Sequence, residues 1–522
     1  MSSEVPPRGR SAALVAAGIM LTRLTGLLRQ RVFAHYFGLG VEADAFSAAF
    51  RIPNFLQNLF GEGALSASFI PVYASLVAQG RRPESGRVAG AIASLLALVV
   101  SAIVFVGVLA TPLVIDAIAP GFEGEQRTLT IQLVRILFPG AGMLVLSAWC
   151  LGVLNSHHRF LLSYTAPVMW NAAMIATLVG FGGRTSLPSL AIALAWGSLV
   201  GSALQVVVQL PAVLREAPDL RLALDTTSAE VRAVVRNFGP AFVSRGVVQI
   251  SAYVDTLLAT LLPTGALAGL MNAQLVYTLP ISLFGMSVSA AELPKMSGAV
   301  GTDLEAVAVL QRRLGAGLRQ IAFFVVPSAA AFLALGDVIA AALFETGRFG
   351  HDEAIYVWGI LAGSAVGLLP STLGRLYSST YYALRDTRTP LRYALFRVVI
   401  GIVLGYLFAI PLPRWVGLAP RWGAAGLAVA GGLAGWVEML MLRHTLNRRI
   451  GKTGLPMVYL AQLWGAAAAA VMVGWVVKLN VPLIHPALAA AAVLGAYGIV
   501  FGLAALVARV PEASAALERI KR

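Results

Sequence analysis

The sequence predicts an all-α polytopic membrane protein. Of about fourteen expected transmembrane helices, the first twelve form two pseudo-symmetric lobes around a central cavity and the last two are extra helices at the C-terminal end. Three observations predict it. The 522 residues are 58% hydrophobic and only 12% charged, with a mean hydropathy of +0.79, whereas an average soluble chain carries roughly 25% charged residues. Long apolar stretches recur along the whole chain, and a helix crosses ~30 Å of hydrocarbon with about 20 residues. Basic residues concentrate in alternate loops, as membrane topology demands. This composition excludes a single soluble core, disorder, collagen and a disulfide scaffold. The single Cys150 also excludes a cysteine-based metal site.

The apolar stretches run roughly over 12–36, 44–78, 88–118, 129–154, 160–182, 188–213 and 237–262, then 267–294, 318–344, 354–380, 390–412, 422–446, 456–479 and 485–509. The first has arginines ahead of it, as a signal peptide would, but Arg23 and Arg29 interrupt it and no clear small-residue cleavage site follows. It reads as a retained first helix. With the amino terminus inside, the cytoplasmic segments hold 24 arginines and lysines. The opposite loops hold 5, namely Arg127, Arg184, Arg348, Arg414 and Arg421. A missed or spurious helix would invert every later loop and scramble that ratio, so the helix count is even and both termini are cytoplasmic. The net charge of +15, from 39 basic and 24 acidic residues, is therefore topogenic. It faces anionic lipid headgroups rather than nucleic acid.

The longest polar interruption, 214–236, divides six helices over 1–213 from the rest. The second lobe takes 237–447, and 448–522 holds the last two helices and a cytoplasmic tail. The halves echo each other. A polar first helix (Arg23; Arg245) precedes a second one with a mid-membrane proline and glycine (Pro53, Gly61; Pro280, Gly285) and a later proline (Pro71; Pro294). Interrupted helices at matching places in two halves point to a transporter-type repeat with a central site.

Charges at the bilayer centre cost at least ~2.5–3.5 kcal/mol each on insertion scales, yet they cluster in the first two helices. Arg23, Gly26 and Arg29 step by three, each turned ~60° from the last, and Gly26 leaves bare backbone between two guanidinium groups. Asp44, Ser47, Arg51, Asn54 and Asn58 form one stripe, continued by Glu62 and kinked at Pro53. Such a stripe cannot face lipid, whereas a solvated cavity accommodates it. The competing reading is that these charges only pair with one another, Arg51 with Asp44 for example. Arginines outnumber carboxylates in this lobe, however, with Arg31 and Arg135 near helix ends. Surplus guanidinium suits an anion, and its planar donor fork suits phosphate oxygens. The second lobe holds Arg245, Asp255, Glu292, Arg375 and Arg397 in or near helices, and a basic loop with Asp386.

Enzymatic signatures are missing. The six histidines show no metal-ligand spacing, and there is no GxxxxGK[ST], GxSxG or paired acidic motif. The chain reads as a transporter, not an enzyme. It carries no cofactor and no firm metal site.

One block, TRLTGLLRQRVFAHYFGLGVEADAFSAAFRIPNFLQNLFGEGALSASFIPVYA, with APGF, LNSHHRF, NFGPA, ELPKMS, FETGRF and YYALRDTRTP later, resembles the MurJ/MviN family. These are lipid II flippases of the multidrug/oligosaccharidyl-lipid/polysaccharide exporter superfamily. The resemblance implies alternating-access movement of a polyprenyl-pyrophosphate-linked peptidoglycan precursor, lipid II, to the outer leaflet of the bacterial inner membrane. A groove in the last two helices would hold the lipid tail. Another polyprenyl-linked oligosaccharide of O-antigen type is an alternative cargo, and a drug or ion antiporter a more distant one, since its cavity would be acidic. Thr22, Arg23, Gly26 and Arg29 match the family's first-helix elements, with the arginines gripping pyrophosphate and Asp44 gating them. Asn54 lies on the same substrate-facing stripe, and Glu62 joins the gating set. Where some members carry arginines, this chain has Gln57, Gln274 and Leu275, so Arg51 and Arg245 would supply the displaced charge. Some relatives seat a sodium ion in the second lobe, which makes Asp255 and Asp386 ion-coupling candidates. Drive would come from sodium, protons or the membrane potential. The expected partners are the lipid substrate, membrane lipids and cell-wall synthesis proteins around a monomer.

Overall fold

The computed structural model describes residues 8–297, 304–480 and 485–520, and within these the side chains of Glu62 and Arg245 lie outside the described residues. Among the described residues the chain is helical, with one isolated antiparallel bridge, Thr346 to Phe349. Eleven helices among the described residues are long and apolar enough to cross a membrane. The three further stretches expected from the sequence lie in Arg8–Phe37, Val41–Ala78 and Ala229–Thr260. These are the helices singled out above for their polar residues.

By contacts the chain forms two compact units, Met1–Leu261 and Leu262–Arg522. The first contains α1 (Arg8–Phe37), α2 (Val41–Leu56), a π-helical segment (Gln57–Leu65), α3 (Ser66–Ala78), α4 (Arg82–Leu109), α5 (Thr111–Ile118), α6 (Gly124–Ser156), α7 (Phe160–Phe181), α8 (Leu187–Glu216) and α9 (Ala229–Thr260). Long α6 is its centre and packs against α8, α2 and α4. Without a hydrophobic driving force between helices in lipid, small residues and polar side chains fix such contacts. Ser147 on α6 donates to Gln209 Oε1 (2.7 Å) and accepts from Gln205 Nε2 (2.8 Å) on α8.

Helix α9 packs on the first unit, although the polar segment 214–236 precedes it in sequence. Phe60 meets Phe238 and Phe242, and Phe55 meets Tyr253 edge-on at 4.9 Å. The polar segment itself runs along α4. A Cβ on Gly90 would sit 1.9 Å from the Arg221 carbonyl oxygen, and one on Gly86 2.4 Å from that of Asp219. Only glycine lets the backbones approach this closely.

The second unit contains α10 (Ala266–Pro280), a π-helical segment (Ile281–Met286), α11 (Ser287–Ser297), α12 (Leu304–Ala334), α13 (Gly336–Phe344), α14 (His351–Ala383), α15 (Arg388–Ala409), α16 (Pro411–Trp415), α17 (Gly423–Ile450), α18 (Met457–Asn480), α19 (Pro486–Val507) and α20 (Pro511–Ile520). Helices α14 and α17 touch backbone to backbone, since a Cβ on Gly367 would lie 2.7 Å from Gly432 Cα. Helices α18 and α19 pair with each other and lean on α12 and α13. Among these contacts, Lys478 on α18 pairs with Asp337 on α13, and Tyr497 on α19 donates to the Pro327 carbonyl at 2.7 Å.

The sequence echo between the halves has a structural counterpart. Pro53 and Pro280 each precede a π-helical stretch that contains the paired glycine, Gly61 or Gly285. Proline offers no N–H to the preceding turn and its ring crowds that turn's carbonyl, so the hydrogen-bond ladder widens. The kink expected at Pro53 is thus a longer register change.

Candidate functional site

Helix α1 is oriented by polar contacts with α7. Thr22 donates to the Tyr164 carbonyl at 2.6 Å, and Asn171 Nδ2 donates to Thr25 Oγ1 at 3.3 Å. Gly18 permits the approach, because a Cβ there would lie 2.8 Å from Tyr164 Cβ. Thr22, Thr25, Gly26 and Arg29 recur at helical spacing and share the α7-facing side. Arg23 stands about 120° away from Arg29 around the helix and its side chain is exposed. The structure therefore places the two first-helix arginines on different faces. Gly26 turns toward Asn171, 3.9 Å from where its Cβ would be.

Arg29 has an unusual setting. Its guanidinium lies 5.0 Å from the ring centre of Phe50 and 5.7 Å from that of Trp170, and Nη1 points at Met174 Sδ at 3.9 Å. Phe50 and Trp170 are nearly parallel, with centroids 5.3 Å apart and planes 11° apart. Trp170 Nε1 donates to both the carbonyl and Oγ of Ser198, at 3.1 and 3.0 Å. Among the described residues, no carboxylate forms an ion pair with Arg29.

The stripe on α2 opens along its length. Asp44 and Ser47 are buried, Arg51 and Asn54 half-buried, and Asn58 exposed. Its first part faces protein rather than a solvated space, because α2 packs along α6 there. The carboxylate acting on Arg51 is not Asp44, its neighbour on the stripe, but one from another helix. The Arg51 Nε is buried without a hydrogen bond, and the opposite charge acting on it is that of Asp255 on α9. The Tyr253 hydroxyl, two residues earlier on α9, donates to the Arg51 carbonyl at 3.5 Å. The structure thus brings Arg51 and Asp255 together, a pairing that sequence spacing did not indicate. Phe50, Trp170 and Met174 carry no sequence signal either, since apolar side chains at helical spacing look like core.

Asp386 lies in the α14–α15 turn. Its carboxylate accepts from the backbone N–H of Arg388 (3.1 Å) and Thr389 (3.0 Å), from Thr389 Oγ1 (2.7 Å) and from Arg449 Nη1 (2.7 Å). Burial works to raise its pKa, but these hydrogen bonds prevail and hold it at about 2. Such a carboxylate starts a helix and ties it to α17. Among the described residues, no group of three His, Cys, Asp or Glu side chains converges.

The family model described as "Lipid II flippase MurJ" matches residues 33–507. The "Probable lipid II flippase MurJ" of Rhizobium meliloti (strain 1021) is 31% identical over 480 residues, covering 89% of this chain and 86% of the relative. The chain belongs to the MurJ family. The lipid II flippase MurJ of Burkholderia cenocepacia is 30% identical over 447 residues, covering 84% of each chain. A solved lipid II flippase MurJ in an inward closed conformation shares the fold, with a TM-score of 0.78 at 23% identity over 94% of this chain and 99% of that one. An inward-facing MATE multidrug transporter of the MOP superfamily also shares it, at a TM-score of 0.67 and 18% identity over 85% of this chain and all of that one. The MurJ family match begins after Arg29, so the role of the first-helix arginines rests on their own geometry.

Proposed function

We propose that this chain flips lipid II, a polyprenyl-pyrophosphate-linked peptidoglycan precursor, from the cytoplasmic to the outer leaflet of the bacterial inner membrane by alternating access. Family membership supports the cargo. Within the chain, one observation carries the reading: Arg29 lies in a membrane helix without a carboxylate partner among the described residues. A guanidinium left unneutralised in that setting attracts anions, and its fork matches phosphate oxygens. Arg23, with its exposed side chain, meets the headgroup first, while Arg51 and Arg245 supply charge where Gln57 and Leu275 replace arginines of some relatives.

The two lobes rock against each other, with both termini cytoplasmic. The lipid tail stays in the bilayer along 456–509. A cavity of about 490 Å³ lined by Phe284, Phe323, Phe324, Pro327, Tyr497 and Phe501 supports an apolar occupant beside α19. Asp44 gates, and Asp255, facing Arg51, is the acidic group best placed to couple an ion to movement. The membrane potential adds ~2.3 kcal/mol per charge per 100 mV, and its inside-negative sign favours outward movement of an anionic headgroup.

Complementation of a conditional lipid II flippase mutant tests the reading. The chain is expected to restore growth and Arg29→Ala to fail at equal membrane abundance. Growth restored equally by both would remove the arginine from the mechanism, and rescue by neither would point to another polyprenyl-linked cargo.

A further inference from the structure

An arginine inside a membrane protein is ordinarily stabilised by a carboxylate, as Arg397 is by Glu438 at 3.1 Å in this chain. Arg29 is stabilised differently. The negative faces of Phe50 and Trp170 attract the cation electrostatically, and neither ring carries a net charge or an acceptor lone pair to occupy its N–H groups. A guanidinium has five N–H donors. Of these, Arg29 directs one at a thioether, which accepts only weakly. Among the described residues, the charge is therefore held in place while nearly all its donors remain uncommitted.

The seat is also rigid. Trp170 cannot turn without breaking both hydrogen bonds to Ser198, and Phe50 stacks on it almost in parallel. Phe50, Trp170 and Met174 are all buried. The seat joins α1, α2 and α7, so the position of the charge follows the packing of three helices rather than the rotamers of one long side chain. A carboxylate in the same place would compete with any incoming anion and would have to be displaced first.

We infer that Phe50 and Trp170 are positioning residues for anion capture: they hold Arg29 charged, oriented and unneutralised, and so set the affinity for a diphosphate group. This rests on the headgroup role of Arg29 proposed above.

The test uses the full chain purified in detergent, with inorganic pyrophosphate as the probe and titration calorimetry as the readout, alongside thermal unfolding. Arg29→Ala is expected to abolish binding. Phe50→Leu and Trp170→Leu are each expected to weaken it about 5- to 10-fold, the size of a partly desolvated cation–π contact. Trp170→Phe, which keeps a ring but loses both hydrogen bonds to Ser198, is expected to bind more tightly than Trp170→Leu and less tightly than the natural chain. Combined with Arg29→Ala, neither ring loss has anything further to remove. Ring losses that lower the unfolding temperature but leave pyrophosphate affinity unchanged would overturn the seat while sparing the headgroup reading. Binding that survives Arg29→Ala would overturn the headgroup reading and the seat with it.

Discussion

Arg397 on α15 and Glu438 on α17 form an ion pair within the second unit, Nε to Oε2 at 3.1 Å. Arg375 on α14 also feels Glu438, so one carboxylate serves two guanidinium groups across three helices. Glu438→Gln leaves two like charges facing each other. It is expected to lower the stability of the second unit by roughly 1–3 kcal/mol, less than the ~3–5 of a fully buried pair, since both partners retain some exposure. Thermal unfolding in detergent measures this. Adding Arg397→Met to Glu438→Gln should recover part of the loss, because an apolar replacement removes the uncompensated charge.

Acid should loosen the first unit through His157. Its Nε2 lies 2.9 Å from the Tyr73 hydroxyl, and the ring is part-buried at the end of α6. Burial depresses its pKa below the ordinary 6.5, and His158, Arg159 and Arg82 push the same way against the attraction of Glu216. The folded state therefore favours the neutral ring. The stabilisation is fully present above about pH 6.5 and is lost as pH falls through the lower folded value. Unfolding temperatures between pH 7.5 and 5.5 should fall more steeply for the natural chain than for His157→Gln. Parallel curves would mean that His157 does not titrate differently on folding.

Asp386→Ala is expected to cost about 1–2 kcal/mol, as loss of a helix-starting carboxylate does, and to free Arg449 from its 2.7 Å contact. The loss should be the same in sodium and in potassium chloride, because protein donors already occupy the carboxylate. With a folded pKa of about 2 against 3.8 ordinarily, this contribution stands above pH ~3.8 and disappears as pH falls through about 2. A larger penalty in sodium would support Asp386 as an ion-coupling residue.

Gly90→Val should lift the polar segment off α4, since Arg221 backbone occupies the space a Cβ needs. Limited proteolysis is expected to cut residues 217–227 faster in the variant, while cleavage elsewhere is unchanged. Equal cutting rates would show that the segment accommodates the extra side chain in place.

Much of the fold was legible because bilayer physics leaves few solutions. Apolar length and alternating basic loops mark crossings, and the prolines Pro53 and Pro280 announce broken helices. The candidate site was legible only in part. Arg29 stood out as a charge where charge is costly, but Trp170 and Met174 look like any apolar residues on α7. Glu438 lies far along the chain from Arg397, and only the packing of α15 on α17 reveals them as partners. Asp255 was visible as an intramembrane acid, yet its proximity to Arg51 depends on α9 packing with the first unit.

By itself the sequence determined that this is a multi-helix membrane transporter with costly cations in its first helices, because hydrophobic length, loop charge and intramembrane arginine are local properties of the chain. Tertiary structure decided which of those cations is neutralised and which is not. That depends on rotation and contact between helices distant in sequence, which put aromatic faces rather than a carboxylate beside Arg29.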